Sequence, residues 1–101
     1  MQFMKYELQS TPTFNAWLGG VDRTVKNLLL SRLARVENGN FGDHKLLAGN
    51  LFELRCFFGG GLRVYYTVRR KQVVLLLTGG NKTSQAKDIE KAKTLLEALE
   101  K

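Results

Sequence analysis

Arg55, Arg63 and Lys82 carry the chemistry this sequence offers, because each is a positive donor suited to an oxyanion. They lie in a stretch of unusual charge. Residues 44–82 hold seven basic side chains (Lys45, Arg55, Arg63, Arg69, Arg70, Lys71, Lys82) and one acid, Glu53, whereas the other 62 residues hold nine basic and eight acidic ones. Nearly all of the formal charge of +7 therefore falls on one segment, which points to a polyanionic partner, either nucleic acid or an acidic protein. A charge excess that served solubility alone would be spread along the chain.

The elements that must position these cations follow from periodicity. Residues 3–8 fit a first strand, and Thr11-Pro12 is a helix-start signal, with Thr as N-cap and Pro at the first helical position. A short helix through Phe14, Trp17 and Leu18 should stop at Gly19-Gly20. From Val21 to about Asn38 the apolar positions Val21, Val25, Leu28, Leu29, Leu33 and Val36 recur at helical spacing, and Gly39 is a stop. The second half changes period. Phe52, Leu54, Cys56 and Phe58 alternate with Leu51, Glu53, Arg55 and Phe57, and Leu62 to Val68 alternates likewise, which predicts two half-buried strands joined by Gly59-Gly60-Gly61. Val73–Leu77 is apolar without alternation, as in a central strand covered on both sides. Asp88 to Glu100 is helical again. The expected fold is α+β: a mostly antiparallel sheet with N-terminal helices packed on it and a C-terminal helix, residues 1–101 forming one domain.

If the three glycines form the whole hairpin loop, Phe58 faces Leu62, Cys56 faces Val64 and Leu54 faces Tyr66. On the other face Arg55 then lies across from Tyr65, Glu53 across from Thr67, and Arg55 and Arg63 become diagonal neighbours roughly 7 Å apart. With no acid directly between them, two guanidinium groups there would call for an anion such as phosphate. The next hairpin turns near Arg70-Lys71, which returns Thr78-Gly79-Gly80-Asn81-Lys82 to the end of the sheet that holds Arg63. Gly79 and Gly80 can present backbone N–H groups there, and the following helix its positive end. His44–Leu47 should pair with the strand at Leu51 around Ala48-Gly49-Asn50, so that Lys45 faces Glu53.

Other chemical groups have plainer readings. Glu53 is first a surface partner of Lys45 or Arg55, contributing ~0–1 kcal/mol, and only then a base. Tyr65 packs across the strands, Tyr66 belongs to the core, and the lone His44, which follows Asp43 where a loop gives way to the strand, is solvated and not catalytic. Cys56, the single cysteine, falls on the core face as an inert thiol, and it excludes both an internal disulfide and a cysteine-based zinc cluster. The longest apolar run has five residues, against roughly 20 for a membrane span, and residues 1–5 open no signal peptide. A reducing, cytoplasmic home and no membrane partner are expected.

Phe52-Glu53-Leu54-Arg55, Phe58-Gly59-Gly60-Gly61-Leu62-Arg63-Val64-Tyr65-Tyr66, and Thr78-Gly79-Gly80-Asn81-Lys82-Thr83-Ser84-Gln85 followed by Lys87-Asp88-Ile89, in that order, resemble the RelE/HigB-like "addiction module killer" family of toxins from type II toxin–antitoxin systems. The resemblance runs from about Thr11 to the end. Gly60 stands where that family commonly has Pro, and His44 where it has an apolar residue. The resemblance implies a microbial RNase fold, growth arrest through cleavage of mRNA on the ribosome without a metal or other cofactor, and neutralisation by an antitoxin encoded beside the toxin, often a helix-turn-helix protein. Attack by a ribose 2′-hydroxyl on the adjacent phosphate needs proton transfer and stabilisation of a phosphorane. On this resemblance Arg55, Arg63 and Lys82 stabilise that charge, Lys45 grips or activates the RNA backbone beside Gly79 and Gly80, and Glu53 or Tyr65 handles a proton.

Two further functions fit the same charge pattern. ParE-like relatives inhibit DNA gyrase through protein contact and cleave nothing, and a degenerate toxin would keep only antitoxin binding.

Overall fold

A computed structural model describes residues 5–100. Five strands form one mixed sheet in the order β1-β5-β4-β3-β2, with β1 (Glu7–Ser10), β2 (His44–Ala48), β3 (Leu51–Arg55), β4 (Arg63–Arg69) and β5 (Val73–Gly80). β1 runs parallel to β5 and every other pair is antiparallel. Helices α1 (Pro12–Gly19) and α2 (Arg23–Glu37) separate β1 from β2, and α3 (Gln85–Leu99) follows β5. The expected α+β class and element order hold. The first strand begins later than its pattern predicts, at Glu7, while Phe3 and Met4 of the expected strand lie outside the described residues. No helix among the described residues is long and apolar enough to cross a membrane.

The start of α1 is built as its sequence predicts. The Thr11 hydroxyl accepts from Phe14 N at 3.0 Å and Pro12 fills the first turn, where its missing N–H leaves nothing unpaired. The same hydroxyl donates to the Leu77 carbonyl at 2.6 Å. That carbonyl sits at a bulge, where the pairing jumps from Tyr66–Leu76 to Tyr65–Thr78 and leaves Leu77 without a partner on β4. One threonine thus caps a helix and satisfies an irregular strand.

The sheet is covered on both faces. On one side Phe14, Leu29, Leu33 and Val36 from α1 and α2 pack against Leu54, Val64, Tyr66, Val74 and Leu76. On the other, Ala92 and Leu96 of α3 pack against Leu51, Tyr65, Leu75 and Leu77. The expectation that β3 and β4 are half-buried is therefore corrected: α3 covers their second face, and only the ends beyond its footprint carry accessible charge. Leu28, expected on the buried side of α2, is exposed, because the helix turns its Leu29, Arg32, Leu33 and Val36 stripe to the sheet. α3 also starts earlier than its apolar pattern predicts, at Gln85.

The β3–β4 register differs from expectation by two residues. Arg55 pairs with Arg63, Leu54 with Val64, and Glu53 with Tyr65. Gly59, Gly60 and Gly61 all adopt left-handed backbone, with φ of 62°, 71° and 76°, and curl the chain so that Leu62 N donates back to Phe58 O at 3.0 Å. Phe58 and Leu62 are thus closed by a local wrap instead of facing each other in the ladder. A slip of two keeps every side chain on its predicted face, which is why the core pattern survives. Lys45 faces Glu53 as expected.

Candidate functional site

Glu53 is the centre of the charged end of the sheet. It sits between Arg55, two residues along β3, and Arg63, its diagonal neighbour on β4. Arg55 Nε lies 3.4 Å from Glu53 Oε1, and Arg63 Nε lies 3.5 Å from Oε2. Gln85, in the first turn of α3, donates from Nε2 to Oε2 at 2.8 Å. The two guanidinium groups do therefore share an acid, contrary to the sequence-based expectation. The two-residue shift in register puts them directly opposite each other, and Glu53 supplies the negative charge that like charges at such a position require.

Glu53 is 1% exposed, so the reading of it as a surface partner is also overturned. α3 covers it, and the Gln85 amide satisfies part of what water would. Arg63 is the more buried arginine, its side chain 13% exposed, and its Nη1 donates to Gly61 O at 2.8 Å. Arg55 is 38% exposed and also approaches Asp43 Oδ1 at 3.9 Å. Neither Nε–H makes a hydrogen bond of good geometry, so these contacts are ionic and leave donors unspent in a buried place.

Tyr65, across from Glu53, is fully buried, and its hydroxyl has no well-formed hydrogen-bond partner. Burial first, then the Glu53 carboxylate, push its pKa upward. It therefore holds its proton throughout the neutral range. Three buried polar groups without a well-formed hydrogen bond thus surround one carboxylate beside the core.

Lys82 reaches the same end through the turns. Its backbone N donates to Gly60 O at 3.2 Å, and a Cβ placed on Gly61 would meet both Lys82 Cβ and Arg63 Nη1. Asn81 organises this approach, its Oδ1 accepting from Thr83 N at 2.9 Å and Ser84 N at 3.1 Å. Lys45 is exposed on the edge strand opposite Glu53. Arg55, Arg63, Lys82, Lys45, Glu53 and Tyr65 are thus gathered at one end of β2–β5.

Gly79 and Gly80 differ from expectation. They form no open turn but the paired end of β5, opposite Val64 and Arg63. A side chain at Gly79 would strike the Trp17 ring, and one at Gly80 would strike Asp88 and Ser84. Their smallness lets α1 and α3 close over the strand. The start of α3 is likewise occupied, by the Asn81 carboxamide and by Asp88, which accepts from Ser84 Oγ. Residue type alone assigns Gln85 no role. Its only signal was its place in the Gly-Gly-x-Lys-x-x-Gln string, since its partner lies 32 residues away.

The remaining titratable groups stand apart. His44 is exposed, with Nδ1 2.9 Å from Gly42 O. Cys56 is buried, and desolvation raises its pKa despite nearby Arg32 and Arg35. Arg69, Arg70 and Lys71 are exposed at the β4–β5 hairpin, where Arg70 and Lys71 have φ of 54° and 61°. No three His, Cys, Asp or Glu side chains among the described residues gather as a metal site.

Residues 16–97 match the family described as phage derived protein Gp49-like (DUF891). An uncharacterized protein of Haemophilus influenzae is 39% identical over 97 residues, covering 95% of this chain and 98% of that protein. Among solved structures, a mutant of the Escherichia coli toxin RelE in the free state superposes with a TM-score of 0.68 at 21% identity, over 84% of this chain and 93% of that one. The intact E. coli RelBE toxin–antitoxin complex matches with a TM-score of 0.64 at 22% identity, over 75% and 95%. The RelBE2 complex of Mycobacterium tuberculosis matches with 0.66 at 15% identity, over 80% and 95%. These likenesses establish the fold.

Proposed function

This chain belongs to the Gp49-like family of phage-derived proteins and carries the fold of the RelE toxins, and on that footing we propose that it is the toxin of a toxin–antitoxin pair, acting as an endoribonuclease on mRNA at the ribosome. The observation that carries this reading is the convergence of Arg55 and Arg63 on one buried carboxylate, with Lys82 delivered beside them. Such an array suits a phosphate whose charge grows during reaction.

In the proposed reaction a ribose 2′-hydroxyl attacks its own 3′-phosphate, the bond to the next nucleotide's 5′-oxygen breaks as that oxygen takes a proton from solvent, and a cyclic phosphate remains. Arg63 and Arg55 take up the negative charge of the phosphorane with their outward N–H groups, and Lys82 adds a third positive charge. Lys45 grips the RNA backbone from the edge strand. Glu53 acts chiefly as a positioning residue, because its carboxylate fixes both guanidinium groups before RNA arrives. The hydroxyl proton passes to solvent water, or to Glu53 when an arginine swings away to expose it. Tyr65, fully buried and with its pKa raised, supports Glu53 and has no access to a substrate proton. Gly79 and Gly80 serve by bringing Asn81 and Lys82 against the glycine hairpin.

The partner that restrains this activity is an antitoxin encoded beside it, since the solved structures sharing the fold include toxin–antitoxin complexes. Both would work in the cytoplasm. The test is induced expression followed by primer extension on translated transcripts. Growth arrest with new 5′ ends inside reading frames supports the proposal. Intact transcripts together with gyrase-trapped DNA breaks would replace it by the gyrase inhibitor reading.

A further inference from the structure

Beyond Arg55 the surface carries both signs, with Asp43 Oδ1 3.9 Å from that arginine and Arg35 exposed on α2. There the chain leaves β3 and its side chains part: Cys56 enters the core and Phe58 packs against it, while Phe57 is 95% exposed. The left-handed glycines 59–61 and the bond from Leu62 N to Phe58 O wrap this hairpin, so the Phe57 ring stands on a hydrogen-bonded turn. Between the hairpin and α2 runs a groove of about 400 Å³, with Leu28, Arg32, Arg35, Arg55, Phe57 and Phe58 in its walls. Its arginines differ in availability. Arg32 is buried and donates to the carbonyls of Phe41 and Asp43. Arg35 is exposed and makes no ion pair among the described residues. Arg55 belongs to both places, since its Nε faces Glu53 while the residue walls the groove.

Single-stranded nucleic acid is held by this combination: bases stack on exposed rings while flanking cations track the phosphates. An apolar, acidic protein segment would also find Leu28 and Phe57. Continuity decides between them, because the groove shares Arg55 with the cluster assigned to the reacting phosphate. We infer that the groove between α2 and the β3–β4 hairpin is a second RNA subsite, where Phe57 stacks a base neighbouring that phosphate and Arg35 pairs with a further phosphate along the strand. The inference rests on the RNA reading above.

The probe is a fluorescent single-stranded RNA with 2′-O-methyl riboses, which cannot supply the attacking hydroxyl. Its affinity is measured across a salt series for the full chain and for Phe57→Ala, Phe57→Trp, Arg35→Ala and Arg63→Ala. Phe57→Ala should weaken binding roughly 5- to 150-fold, from the usual strength of base–aromatic stacking, and Phe57→Trp should retain it. Arg35→Ala should lower the slope of log K against log salt by about one. Binding that falls with Arg63→Ala but not with Phe57→Ala or Arg35→Ala overturns the subsite and leaves the RNA reading standing. No binding by the unsubstituted chain overturns both. Unchanged RNA affinity in Phe57→Ala, together with lost capture of the adjacently encoded antitoxin, reassigns the groove to a protein partner.

Discussion

Arg55 stands directly opposite Arg63 across the β3–β4 ladder, and each turns its Nε toward a different oxygen of Glu53, at 3.4 and 3.5 Å. Like charges directly opposite each other destabilise a sheet, so this pairing persists only with the carboxylate between them. Converting Glu53 to Gln keeps the shape and removes the charge. Urea unfolding should show a loss of about 3–5 kcal/mol, the usual consequence of breaking a buried ionic network. Most of that loss comes from Arg63, since Arg55 is partly screened by solvent. In an Arg63→Met background the same substitution should cost much less, because the charge left uncompensated is gone.

The buried tyrosines predict an alkaline limit to stability. Tyr65 and Tyr66 both have raised pKa values, mainly through burial. When the folded-state pKa of a phenol is raised, the unfolded chain ionises first. The stabilisation is therefore complete below the ordinary phenol value of about 10 and declines as pH rises above it. Urea midpoints measured from pH 8 upward should stay level and then fall beyond about pH 10. Phenolate absorbance should rise for these two residues only as the protein unfolds.

Gly79 lies against Trp17 with no room for a methyl group. Gly79→Ala should destabilise the fold by about 1–3 kcal/mol, as overpacking does. The penalty should shrink when Trp17 is replaced by Leu, and a double-mutant cycle by denaturant unfolding measures that coupling.

Thr11 ties α1 to the bulge in β5 through bonds to Phe14 N and Leu77 O. Thr11→Val keeps the shape but removes both. A loss of about 1–2 kcal/mol is expected, combining an N-cap with a buried carbonyl left unpaired. Thr11→Ser should recover most of it.

Much of this was legible from residue types. Thr11-Pro12 announces α1 and alternation announces β3 and β4, whereas the charge segment marks a region of seven cations and does not by itself separate Arg55, Arg63 and Lys82 from the rest. The β3–β4 register was not legible, because alternation cannot distinguish a slip of two and only the left-handed glycines decide it. Glu53 was misread for a related reason. Its position opposite to the core residues suggested solvent, yet α3 returns from the far end of the chain to cover it. The Leu77 bulge and the Gln85–Glu53 bond depend on contacts between distant segments, and local propensity carries no trace of them.

The proposed work of the arginine pair is to stabilise charge developing on RNA. The direct measurement is the cleavage rate of ribosome-bound mRNA by the purified protein and by Arg63→Ala, with matched circular dichroism spectra. The variant should cleave roughly 10²- to 10³-fold more slowly, the usual effect of removing one preorganised donor. A folded Arg63→Ala protein that cleaves as fast as the unsubstituted chain would contradict it.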